Sequence, residues 1–108
     1  MMEFGEYQSL ARRTQNDKLN GHERLCHALF GLCGEVGEIQ SIYQKAYQWH
    51  HVSNEHVVEE LGDLLWFAGE LADVLGVTLD EVAERNIRKL KRRYPNGFES
   101  GRSVNRDE

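Results

Sequence analysis

An all-α fold is predicted for this chain on three observations. Apolar residues recur at steps of three and four through four separate stretches, proline occurs once in 108 residues, and the stretches meet at helix-capping residues. This length suits one domain with one core, so residues 1–108 are read as a single four-helix domain.

The first helix is placed over residues 3 to about 16, where Phe4, Tyr7, Leu10 and Ala11 share a face. Asn20 and Gly21 punctuate before the second, whose stripe runs Leu25, Leu29, Leu32, Val36, Ile39, Ile42, Tyr43 and Ala46. A polar segment from Gln48 to Ser53 interrupts the pattern, and Ser53 or Asn54 is a candidate N-cap for the third helix. That helix carries Val57, Val58, Leu61, Leu64, Leu65, Ala68, Leu71, Ala72 and Leu75, and Gly76 is its expected C-terminal cap. The fourth starts at a capping box, Thr78-x-x-Glu81, with Val77 and Val82 placed as a hydrophobic staple, and stops at Tyr94 before Pro95. Residues 99–108 are polar and are read as loop or tail.

Charge is unevenly spread. Residues 1–84 carry 15 acids against 5 Lys or Arg, and residues 85–108 carry 3 against 8. No apolar run approaches the ~20 residues that span a bilayer, the start is acidic where a secretory signal would be basic, and a cytoplasmic protein is expected. Cys26 and Cys33 form no C-x-x-C pair and are read as small core residues.

Within the second helix, "GLCGEVGEI" places Gly31, Gly34 and Gly37 beside Glu35 and Glu38. Each glycine costs a helix about 1 kcal/mol relative to alanine, and acids in an apolar setting need a positive partner. The third helix repeats the theme with Glu60 and Asp63 around Gly62 in "VVEELGDLLWF". Acids three apart share a helix face, but Glu3/Glu6, Glu70/Asp73 and Glu81/Glu84 have the same spacing. The apolar neighbourhood distinguishes 35/38 and 60/63, and Glu70→Gln is expected to be a silent control. If the two helices pack antiparallel, four carboxylates converge, and a hard cation such as Mg²⁺ or Mn²⁺ would neutralise them. The glycines would leave room for close helix approach or a ligand; equally, they would serve tight packing alone with the acids at the rim.

A di-iron carboxylate bundle needs Glu-x-x-His on two helices, and no histidine stands three residues after a Glu. His22, His27, His50, His51 and His56 are read as surface, cap or core residues, with His27 the one nearest the acids along its helix. In the fourth helix Ala83, Ile87, Leu90 and Tyr94 form the apolar row, and Lys89 and Arg93 stand beside it, able to point along the core toward the acids. A basic helix also suits nucleic acid, but the acidic body would repel the backbone, so no nucleic-acid partner is expected. Trp66 and Phe67 lie off the main seam of the third helix, and a second subunit or a stacked ligand is expected to cover them.

"GLCGEVGE", then "EELGDLLWF" 21 residues after Glu38, then "NIRKLKRRYPNGF" resemble the MazG-like family of all-α nucleoside triphosphate pyrophosphohydrolases. "EYQSLARRT" and the S-x-N-R tail extend the likeness to nearly the whole chain, whereas "GHERLCHALF" departs from the tryptophan-containing pattern of the deoxycytidine-triphosphate subgroup. The resemblance implies hydrolysis of a (deoxy)nucleoside triphosphate between the α and β phosphates, giving monophosphate and pyrophosphate. It makes Glu35, Glu38, Glu60 and Asp63 ligands of Mg²⁺, or Mn²⁺, and Lys89 and Arg93 phosphate contacts, with Asn86 and Tyr94 near the substrate. Glu38 would serve as base and Trp66 as a stacking platform for the nucleobase. The alternatives are a non-catalytic metal- or nucleotide-binding module, or a related pyrophosphohydrolase acting on phosphoribosyl-ATP or deoxyuridine nucleotides. A homodimer or homotetramer is expected.

Overall fold

The computed structural model describes residues 1–105. Five helices succeed one another: α1 Phe4–Ala11, followed by a turn of 3-10 helix over Arg12–Thr14; α2 Gly21–Ala46; α3 Asn54–Val74; α4 Leu79–Arg93; and α5 Ser100–Val104. The framework is the α2–α3 hairpin. Its register is antiparallel, since residues 27, 31 and 35 of α2 face residues 70, 67 and 63 of α3.

Local signals account for the ends of these elements. Asn20 caps α2 in a full capping box, accepting from the Glu23 N–H while the Glu23 carboxylate accepts from the Asn20 N–H. Ser53, not Asn54, caps α3. At the other end of α3, Gly76 takes a left-handed φ of 74° while Val77 N–H reaches Ala72 O and Gly76 N–H reaches Asp73 O, a Schellman ending. Trp49 plays the same part after α2 at φ 67°, with His50 N–H on Lys45 O, although a left-handed tryptophan costs roughly 1–2 kcal/mol that glycine would not.

Three expectations are corrected. The box at Thr78 is only half formed: Thr78 accepts from Glu81 N–H, but the Glu81 carboxylate turns outward to Arg85, 2.7 Å away. Instead the Gln8 side chain completes the cap from α1, its carbonyl accepting the Leu79 N–H at 2.8 Å. The first helix ends at Ala11 rather than near residue 16. Within the supposed tail, residues 100–104 form α5, because Arg102 folds back to donate to the Arg92 and Arg93 carbonyls that α4 leaves open at its C-terminus; residues 106–108 lie outside the described residues.

Ala28, Ala72 and Leu79 are the fully buried apolar side chains among the described residues. Small residues thus line the hairpin seam, and Leu79 seats α4 against Gly69 of α3. The chain exposes 8319 Å², about 2,100 Å² more than a compact monomer of this mass. Its radius of gyration is 17.1 Å, against about 13 Å for a compact chain of this length. The row expected to bury α4 stays open, with Ile87 and Leu90 exposed, as are Leu29, Val36, Val58 and Leu61. Cys33, expected in the core, is exposed as well. Among the described residues no helix is long and apolar enough to cross a membrane.

Candidate metal centre

The antiparallel register brings the second turn-pair of acids on α2 against the first on α3. Glu35, Glu60 and Asp63 each offer a carboxylate oxygen lying within 4.8 Å of the others. Glu38, expected as a fourth member, stays exposed outside this trio, though its charge is still felt at Glu35.

Glu35 is the strained member of the set. One of its oxygens, Oε2, is buried without a hydrogen-bond partner. A hydrogen bond with the Glu60 carboxyl, burial, and the charges of Glu60, Asp63 and Glu38 together push its pKa from 4.5 up to about 7. An orphaned buried oxygen, an all-oxygen donor set and mutual repulsion fit a hard divalent cation. His56 also touches the cluster, its Nε2 lying 3.2 Å from Glu60 Oε1. The histidine expected nearest the acids, His27, pairs elsewhere.

The neighbouring wall is aromatic. A cavity of about 410 Å³ is lined by Thr14, Glu35, Asp63, Trp66 and Phe67. Both aromatic rings, expected to await a second subunit, are half-buried within one chain. Phe67 lies flat on Gly31, where an added Cβ would fall 2.2 Å from its ring. Trp66 donates its indole N–H to Thr14 at 2.9 Å and meets Phe67 edge to face at 5.1 Å. Gly31 thus serves close packing, while Gly34, Gly37 and Gly62 border open space.

Several participants were invisible in the sequence. Tyr7 of α1 lies near the acids, its phenol pKa raised by burial and by the charge of Asp63. Glu70, expected to be an idle surface acid, is 1 % exposed and holds His27 Nδ1 at 2.6 Å, and His27 in turn packs on Phe67 at 5.5 Å. Glu70→Gln would therefore alter a buried contact and not a solvated side chain. Asp73 accepts hydrogen bonds from Gln8, Arg12 and Gln15. Burial pushes its pKa up, but these bonds and the Arg12 charge prevail and leave it lowered.

α4 packs chiefly on α1 and α3, and no salt bridge among the described residues joins it to Glu35, Glu60 or Asp63. Lys89 and Arg93 are half-buried and Asn86 is exposed. Tyr94 packs on Phe98 with ring centres 5.3 Å apart.

Comparison with known proteins gives a family model, the MazG nucleotide pyrophosphohydrolase domain, matching residues 21–98. A curated relative, the Gene 37 protein of Mycobacterium phage L5, is 34% identical over 89 residues, covering 78% of each chain. No solved structure gives a significant match. The matched segment contains all three clustered acids, both aromatic rings and the whole of α4, and it begins after α1.

Proposed function

Since the chain belongs to the MazG nucleotide pyrophosphohydrolase family, we propose that it hydrolyses a nucleoside triphosphate between the α and β phosphates, releasing monophosphate and pyrophosphate. The observation that carries this reading is the carboxylate trio of Glu35, Glu60 and Asp63, with one oxygen buried and unpartnered beside an aromatic cavity. These three residues hold Mg²⁺, or Mn²⁺, and Glu38 is the fourth ligand or its neighbour. When bound, the cation supplies charge neutralisation on the phosphate oxygens and acidifies coordinated water.

The residues divide the remaining work. The Glu38 carboxylate, exposed one turn beyond Glu35, takes a proton from the attacking water. Trp66 offers its indole face to the nucleobase. Lys89 and Arg93 meet the leaving pyrophosphate, with Asn86 and Tyr94 beside them.

Because α4 packs chiefly on α1 and α3, we assign the α4 that meets the acids to a second copy of the chain, in a homodimer or a dimer of dimers. Two facts support this assembly. About 2,100 Å² of surface per chain beyond a compact monomer's allowance, or about 4,200 Å² for a pair, falls in the range that obligate homodimers bury, and exposed apolar side chains occur both on α4, at Val82, Ile87 and Leu90, and beside the acids, at Val36 and Leu61.

The test is a panel of ribo- and deoxyribonucleoside triphosphates with Mg²⁺, the products separated by chromatography. Monophosphate and pyrophosphate are expected, and a diphosphate with inorganic phosphate would refute the reading. Glu38→Gln and Asp63→Asn should abolish turnover without unfolding the chain, while Glu59→Gln, on the exposed side of α3, should retain it. Full activity of D63N under saturating Mg²⁺ would refute the site.

A further inference from the structure

We propose that Thr14 is a positioning residue that locks the Trp66 indole as the nucleobase wall of the cavity, an inference that rests on the pyrophosphohydrolase reading above. Thr14 lies outside the residues that match the family, which begin at Gly21, yet it lines the same cavity as Glu35, Asp63, Trp66 and Phe67. The segment before the matched residues thus contributes a wall to the cavity.

The geometry of the hydroxyl makes it a directional lock. Thr14 Oγ1 donates its proton to the Ala11 carbonyl at 2.8 Å, which fixes the rotor and leaves an oxygen lone pair for the Trp66 indole N–H at 2.9 Å. On its other side the indole meets the Phe67 ring at an interplanar angle of 85°, and Phe67 is itself seated on Gly31. Two contacts of different kinds therefore fix the ring plane.

The segment that presents Thr14 is tied down at both flanks. Arg12 reaches Asp73 at 2.6 Å and Gln15 reaches it at 3.0 Å. Gln15 also accepts from Arg24 at 2.7 Å, which anchors it to α2. A flat π surface held in place recognises a base without paying to order the ring at the moment of binding. A ligand with phosphates and no base gains nothing from it.

The experiment compares Thr14→Val, which keeps the shape and removes the acceptor, with Thr14→Ser, which keeps the hydroxyl. For the best triphosphate of the panel, T14V should raise KM about fivefold to tenfold, the effect of one hydrogen bond, with kcat within twofold, and T14S should restore KM. Inorganic tripolyphosphate, which has no base, should inhibit wild type and T14V with equal Ki. An unchanged KM, or a Ki that rises in step with KM, overturns the proposal.

The parent reading fails separately if wild type releases no pyrophosphate from any triphosphate. In that case Trp66 emission in a Trp49→Phe background, titrated with the corresponding nucleoside monophosphates, still decides. Quenching that T14V weakens and T14S restores supports the lock; quenching unaffected by T14V, or no quenching, overturns it.

Discussion

Removing the cation should make the protein less stable as pH rises through the neutral range. Glu35 has its pKa pushed from 4.5 up to about 7 in the folded chain. Between those values the folded state keeps a proton that the unfolded state has already lost, so stability falls as pH rises through that window and the loss is complete above it. A shift of that size corresponds to about 3 kcal/mol if fully expressed. Glu35 retains some contact with water, and screening of that kind reduces the figure to about 1–2 kcal/mol.

For a domain of this size the change amounts to a melting temperature about 5–15 °C lower at pH 8 than at pH 5. Asp73 shifts in the opposite direction. Its contribution is present above its unfolded value of 3.8 and lost only as pH falls through its lower folded pKa, so it does not enter this window. Thermal unfolding followed by circular dichroism in EDTA, repeated with saturating Mg²⁺, measures the effect. Mg²⁺ should restore most of the deficit at pH 8, because the cation neutralises the carboxylate that the Glu35 proton neutralises at lower pH. Glu35→Gln should flatten the metal-free slope and abolish the gain from Mg²⁺. A flat metal-free profile for wild type, or an undiminished slope in E35Q, would refute the argument.

Other outcomes follow from the packing. Gly31→Ala puts a methyl 2.2 Å from the Phe67 ring, and the displaced ring should lower stability by about 1–3 kcal/mol in urea titrations. Asp73→Asn removes the charge that gathers Gln8, Arg12 and Gln15; amide exchange in residues 4–11 should accelerate at least tenfold while residues 54–74 stay protected. Sedimentation at low micromolar concentration should show a dimer or tetramer, and Ile87→Asp should dissociate it; a folded, active wild-type monomer of 12.5 kDa would exclude a shared site.

The three long helices, α2, α3 and α4, were legible because each has its own periodicity and a capping side chain at its start, whereas the short α1 lacks such a cap and its end was misplaced. Neither signal reveals α5, whose five residues are held by Arg102 on the carbonyls of a preceding helix. Glu35, Glu60 and Asp63 could be picked out from other acid pairs by their apolar neighbours and by the antiparallel register that a hairpin implies. Glu38 shares that neighbourhood and has the three-residue spacing that keeps Glu60 and Asp63 together, yet its side chain is exposed outside the trio, which spacing alone does not reveal. Thr14, Tyr7 and the His27–Glu70 pair escaped because their partners are 43 to 56 residues away, beyond any local pattern. The apolar row of α4 calls for a covering surface without saying which, and Ile87 and Leu90 of that row are exposed in the single chain.

The cap that α1 places on α4 sets an order of events during synthesis. Gln8 and the Leu79 N–H it accepts are 71 positions apart, and its other side-chain partner, Asp73, is 65 away, so α1 is not fully docked until the end of α3 and the start of α4 have been made. At about 5–20 residues per second, that interval is roughly 4–14 s. During it α2 and α3 can zip together as neighbours, while α1 must remain harmless on its own. Its composition allows this: the residue it eventually buries is a glutamine, which water solvates without penalty, so α1 waits as a polar segment and not as an adhesive one.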